Sequence, residues 1–182
     1  ATIAVEAGSE RLRRVINKDL TDEQILKTVE NARLYGLKGL KIYAMIGLPT
    51  ETDEDIEALI NLMKRIKAAN KGFELTLSVS SFIPKAQTPF QWAKKADSKE
   101  LDVKLTHLKN EISKLGINMR PTSIDWDLIQ SILSRAGVSL SSYLLKVVEN
   151  GGNLGAFKQT WRKMAKEGNL PELNSYASQP IP

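Results

Sequence analysis

Three short segments carry the residue types that hold a small molecule. They are Glu6-Ala7-Gly8-Ser9, Ile46-Gly47-Leu48-Pro49-Thr50-Glu51 and Ser80-Ser81-Phe82-Ile83-Pro84-Lys85. A carboxylate binds hydroxyl groups through charge-assisted bonds, about twice as strong as neutral ones. A glycine lets a flat ring approach the backbone, and the proline after it stiffens the turn. Each segment closes a predicted strand, and ligands of parallel α/β folds sit at the carboxyl ends of strands. Each also has a purely structural reading. Glu6 can cap the helix behind it, a glycine-proline turn often leads into a capped helix, and an aromatic loop can pack on itself.

The elements that must position these segments are legible from periodicity. Ile3 and Val5 mark a short strand. Leu12, Val15 and Ile16 have helical spacing, and Thr21-Asp22-Glu23-Gln24 forms a capping box ahead of Ile25, Leu26, Val29 and Ala32. Leu40 to Ile46 is nearly continuous apolar, which predicts a strand covered on both faces. Thr52-Asp53-Glu54-Asp55 opens a helix striped with Ile56, Leu59, Ile60, Met63 and Ile66. Phe73 to Ile83 alternates, setting Thr76, Ser78 and Ser80 on a polar face. A further helix carries Leu101, Leu105, Leu108, Ile112 and Leu115, and Ile117 to Arg120 adds a short strand. Strand–helix alternation with short links predicts a parallel sheet. From about Asp125 only helical patterns follow. The expected organisation is a partial β/α barrel over 1–120, a small helical segment over 121–170 and an irregular tail over 171–182. A complete eightfold barrel needs about 250 residues.

Composition narrows the chemistry. The 182 residues are 42% apolar and 26% charged, an ordinary globular balance. There is no cysteine, which excludes disulfides, thiolate metal sites and cysteine nucleophiles within these residues. The one histidine, His107, argues against an all-protein zinc site and reads as a helix-surface residue. No apolar run suits a membrane span and no signal peptide is evident, so a cytoplasmic protein without a membrane partner is expected. The net charge of +5 gathers at Arg11, Arg13 and Arg14, at Lys64, Arg65 and Lys67, and at Lys94 and Lys95. Such runs read as solvated helix faces, with RNA as an alternative partner. The chain starts at Ala1 directly in a strand, which points to a piece of a longer protein.

The run from Thr2 to Lys18, with Met45 to Thr52, resembles the fourth and fifth strands of radical S-adenosylmethionine (SAM) enzymes of the methylthiotransferase and coproporphyrinogen dehydrogenase type. The resemblance implies that Glu6 faces the ribose of SAM and Lys18 its carboxylate, with Ser9 on the same rim. Lysine stands where arginine is usual, so the bidentate fork is lost. It implies that the backbone of Ile46 and Gly47, stiffened by Pro49, meets the adenine. Tyr43 stands where many relatives carry a small polar or acidic residue facing substrate. Ser80, Phe82 and Ile83 would wall and cover the pocket. Thr88-Pro89-Phe90-Gln91-Trp92 is similar to a form found in radical SAM proteins with a cobalamin-binding domain, although Ala136-Gly137-Val138-Ser139 departs from the charged turn those proteins carry after Leu133-Ser134-Arg135.

The resemblance therefore implies a parent enzyme that uses SAM and a four-iron cluster, with cobalamin as a further cofactor from an upstream domain. The cluster's three cysteines lie outside this chain, which alone is expected to be inactive, with no metal ligand of its own and no identified catalytic residue. Its partner would be the upstream half of the barrel, and an open sheet edge invites association with another copy. Two other readings stand beside this one: a non-redox α/β enzyme or binding domain with Glu6 and Glu51 as acid–base residues, and a basic RNA-binding module.

Overall fold

The computed structural model describes residues 1–179. They form two compact units, Ala1–Phe82 with Lys99–Thr122 and Ile83–Ser98 with Ser123–Pro182. The first contains a four-stranded sheet in the order β1-β2-β3-β4. Its strands are β1 (Thr2–Glu6), β2 (Gly39–Ile46), β3 (Glu74–Ser81) and β4 (Asn118–Pro121), and every adjacent pair is parallel. Helices α1 (Glu10–Val15), α2 (Asp22–Leu34), α3 (Asp53–Ala69) and α4 (Ser98–Lys114) lie between them in the chain. Parallel neighbours need a crossover connection, and here helices supply it. This is the α/β architecture of a partial β/α barrel.

Helix starts follow local chemistry. Thr21 Oγ1 accepts from Gln24 N at 3.2 Å while Gln24 Oε1 accepts from Thr21 N at 2.9 Å, completing the capping box of α2. The apolar stripe of α3 is buried throughout, at Ile56, Leu59, Ile60, Met63 and Ile66. On the strands Val5, Leu40, Ile42, Ala44, Ile46, Leu75, Leu77 and Val79 are buried as well. Each such aliphatic side chain contributes roughly 1.5–3 kcal/mol on burial.

The other sheet face is different. Register sets Ala4, Tyr43, Ser78 and Arg120 side by side, with Lys41, Thr76 and Asn118 in the next row. Tyr43 is 41% exposed, so β2 is not covered on both faces as its apolar run suggests. Its buried residues alternate strictly with the others, because Tyr43 and Met45 are apolar enough to hide a period of two.

The second unit contains α5 (Ile124–Ser134), a 3₁₀ turn at Val138–Leu140, α6 (Ser141–Glu149), α7 (Leu154–Lys166) and α8 (Leu173–Ser178). Ile129, Ile132, Tyr143, Val147, Trp161 and Ala177 share one core. The polar atoms of its aromatics are satisfied: Tyr143 Oη donates to Phe157 O at 2.9 Å and Trp161 Nε1 to Pro171 O at 3.0 Å. Burial pushes the Tyr143 hydroxyl up to about 12.

Two boundaries differ from expectation. Residues 83–98 belong with the helical unit although they directly follow β3. Residues 173–178 are helical, not irregular, because Pro171 precedes the helix and Glu172 caps it by accepting from Ser175 N at 2.8 Å. Residues 180–182 of the expected tail lie outside the described residues. Among the described residues no helix is long and apolar enough to cross a membrane.

Candidate functional site

Glu6 ends β1 in the left-handed region, with φ 64°, where the register with β2 shifts between Ala4 and Glu6. For a residue with a Cβ that conformation costs about 1–3 kcal/mol, and such strain gathers at functional sites. It breaks the strand's alternation and re-aims the carboxylate. Lys18 is brought back to it by the end of α1. Asn17 takes φ 56°, Asn17 N closes on Arg14 O at 3.0 Å, and Lys18 N closes on Arg13 O at 2.8 Å. These two bonds make a Schellman turn, for which asparagine is the usual substitute for glycine. Lys18 Nζ then stands 3.7 Å from Glu6 Oε1, with both side chains partly open to solvent. The structure thus brings together two sequence-predicted residues that are twelve positions apart.

Ser9 has a different task. Its Oγ accepts from Leu12 N at 3.0 Å, capping α1, and donates to Asp55 Oδ1. Its one donor is therefore engaged within the protein. Asp55, 3% exposed, also accepts from Arg11 and from Thr52 N at 2.8 Å. Burial raises its pKa, but the bonds from Ser9, Thr52 and Arg11 outweigh burial and hold the carboxyl below 3.8. Arg11 Nη2 further donates to Thr50 O at 2.9 Å, and Thr50 is itself left-handed at φ 66°. One buried carboxylate thus ties the first rim segment to the second.

Gly8 makes this junction fit. A Cβ there would lie 2.3 Å from Asp55 O and 2.4 Å from Leu59 N, both backbone atoms of α3. Only glycine allows that approach.

The second segment turns at Gly47, with φ 74°. Gly47 N donates to Glu51 Oε1 at 2.8 Å, and Ile46 O accepts from Phe82 N at 2.8 Å. The two backbone groups expected to meet a ligand ring therefore already have partners, and the Ile46 side chain is fully buried. Pro49 is partly buried in the same turn. Glu51 is held from behind by Lys104 Nζ at 3.0 Å, and Lys104 also donates to Glu100 at 2.7 Å. Burial raises the Glu51 pKa above 4.5 against the Gly47 and Lys104 bonds. Lys104 is pushed down by burial but up further by its two carboxylates, and ends above 10.5. With a side chain 2% exposed, Glu51 is a structural brace for the glycine turn and not a solvent-facing acid–base group.

In the third segment Ser80 lies opposite Met45 on the polar sheet face and is half-buried, while Phe82 is 8% exposed. Ile83 belongs to the second unit. Tyr43 carries Lys41 Nζ 4.6 Å above its ring.

Sequence reasoning missed the groups that hold the rim. Arg13, inside a run that reads as a solvated face, is fully buried. Its Nη1 donates to Ala7 O and Gly8 O at 2.9 and 3.1 Å, its Nε to Leu20 O at 2.6 Å, and Nη2 to Asp22. Position was the available signal: Leu12 and Arg13 adjoin on a six-residue helix whose two flanks are both packed. Lys95 is likewise 3% exposed. The long-range partnerships of Asp55 with Ser9 and of Lys104 with Glu51 had no sequence signal, since each spans more than forty residues; for Asp55 the sequence showed only its place in the Thr52–Asp55 helix start. His107, with its side chain 47% exposed, stays on the surface, 2.5 Å from Glu57.

Comparison with known proteins adds the following. The Radical SAM superfamily profile matches residues 1–63. An uncharacterized protein of Methanocaldococcus jannaschii is 40% identical over 147 residues, which are 79% of this chain and 31% of that protein. The ribosomal protein uS12 methylthiotransferase of Thermosipho africanus is 35% identical over 71 residues, 38% of this chain and 17% of that one. A tRNA-2-methylthio-N(6)-dimethylallyladenosine synthase from Wolbachia sp. subsp. Brugia malayi is 27% identical over 123 residues, 67% of this chain and 27% of the relative. The chain matches about a third or less of the length of these relatives. No solved structure matches it.

Proposed function

From a chain whose first 63 residues belong to the Radical SAM superfamily, we propose a contribution to SAM binding in an enzyme that cleaves SAM reductively. The observation that carries this reading is the Glu6–Lys18 pair, 3.7 Å apart at the carboxyl end of β1, with Glu6 held in a strained backbone conformation. Its partly open carboxylate and ammonium fit the hydroxyls and carboxylate of SAM. Glu6 would orient the ribose, and Lys18 would balance the amino-acid end. Gly47 would shape the adenine side of the pocket, held by Glu51 and Lys104, while Phe82 would exclude water from it. Ser9 and Asp55 would act on position alone.

Such chemistry would need an iron–sulfur cluster as the source of the reducing electron. The residues present do not fit that cluster. The sequence has no cysteine, and among the described residues no group of three His, Cys, Asp or Glu side chains could hold a metal. The cluster ligands would come from outside these 182 residues. The likeness of Thr88–Trp92 to cobalamin-linked proteins extends the proposal to a cobalamin held elsewhere. Methylthio transfer to a ribosomal protein and to tRNA appears in the names of two relatives, so the substrate is left at a macromolecule or smaller acceptor fixed by other parts of the enzyme.

Equilibrium dialysis with labelled SAM tests the reading. The chain should retain SAM, and Glu6→Gln and Lys18→Gln should each reduce retention. Equal retention by wild type and both variants would overturn the assignment. Anaerobic reduction with SAM should give no 5′-deoxyadenosine from the chain alone; its formation would contradict a cluster held elsewhere.

A further inference from the structure

The second unit holds a half-buried arginine whose hydrogen-bonding capacity is only partly used. Arg135 follows the last residue of α5, and its Nη1 donates to the carbonyl of Tyr176. Its Nε and Nη2 are shielded from solvent and have no hydrogen-bond partner among the described residues. These two atoms form the side edge of the guanidinium. Their N–H bonds point in parallel, at the spacing of two oxygens of one carboxylate or phosphate. Buried donors are almost always paired, and an orphaned pair on a cation calls for an anionic partner.

The surroundings agree. Lys95, 3% exposed, is a second cation withdrawn from water in the same unit, and its Nζ donates to Ala96 O at 3.1 Å. Lys85 Nζ donates to Ser134 Oγ at 2.7 Å, beside Arg135 in the chain. Asp97 and Asp127 act on Lys95 with the opposite sign. Burial lowers the pKa of Lys95 and of Arg135.

We propose that Arg135 is an oxyanion-binding site of the second unit, taking a carboxylate or phosphate group through the paired Nε and Nη2 donors. It uses none of the residues assigned to SAM and stands or falls independently of that reading.

The test is titration of the 182-residue chain with inorganic phosphate and, separately, with acetate, against sodium chloride of equal ionic strength. The arginine Nε–H signals are followed by ¹H–¹⁵N NMR. The Arg135 signal, assigned by its loss in Arg135→Lys, should move saturably, while that of Arg13 should stay in place because its donors are already engaged. Arg135→Lys should weaken anion binding about tenfold or more, since it keeps charge but loses the fork. Saturation by phosphate alone supports a phosphate-bearing ligand, and saturation by acetate alone supports a carboxylate. An Arg135 signal that neither anion moves beyond the chloride control overturns the proposal. If Arg135→Lys does not fold, the wild-type signal can be assigned by triple-resonance spectroscopy and still decides.

Discussion

Arg13 in the first unit, fully buried, and Arg135 in the second, half-buried with Nε and Nη2 shielded from solvent, are treated in opposite ways. Arg13 donates from all three nitrogens, to three carbonyls and to Asp22. Arg135 donates from Nη1 alone and keeps Nε and Nη2 unpartnered. A buried cation bonded through every nitrogen is a clamp, and here it grips the carbonyls of Ala7 and Gly8 just behind Glu6. A buried cation with open donors is a receptor. Burial alone therefore does not tell a structural arginine from a binding one; the count of satisfied donors does.

The contrast can be broken most forcefully at Arg13. Arg13→Ala would leave three carbonyls and part of Asp22 without a donor, and should lose about 3–5 kcal/mol in chemical denaturation. A loss comparable to that of an ordinary surface residue would refute the clamp. Gly8→Ala asks whether the gripped segment must also touch α3. With a Cβ 2.3 Å from Asp55 O, it should lose about 1–3 kcal/mol or more.

Asp55→Asn should lose about 1–3 kcal/mol at neutral pH, because a buried, multiply bonded carboxylate is replaced by a neutral group. Since the folded pKa of Asp55 lies below 3.8, its contribution is present above that value and lost as pH falls through the folded pKa. The deficit of the variant should therefore shrink in acid. Glu51→Gln should show the reverse slope. The folded pKa of Glu51 lies above 4.5, so its contribution is full below 4.5 and declines as pH rises through the folded value. The variant should gain on wild type between those limits. The smallest change is expected at Arg135→Gln, which should stay within about 1 kcal/mol in the absence of anions because it removes one bond, to the Tyr176 carbonyl, together with two donors that are unpaired.

Sequence periodicity located every strand of the first unit and the helices between them, because packing against the sheet imposes a strong pattern on α3, β3 and α4. It misjudged β2, where Tyr43 and Met45 are apolar but face away from the core. It misjudged Leu173–Ser178 too, read as part of an irregular tail, where Glu172 caps a helix just after Pro171. At the candidate site, Glu6 and Lys18 were legible through the resemblance to radical SAM enzymes, and the Asn17 turn that joins them suits the residue type. The roles of Ser9, Glu51 and Arg13 were not. Each is decided by a partner on another element, Asp55, Lys104 or a set of backbone carbonyls, and no local pattern announces such a partner.

The most direct test of the central claim is a ¹⁵N-resolved titration of the chain with SAM, mapping which backbone amides respond. We expect shifts at Ala7, Lys18 and Gly47, abolished by Glu6→Gln without loss of fold. Shifts confined to the second unit, or unchanged by Glu6→Gln, would contradict a SAM site at the carboxyl ends of β1 and β2.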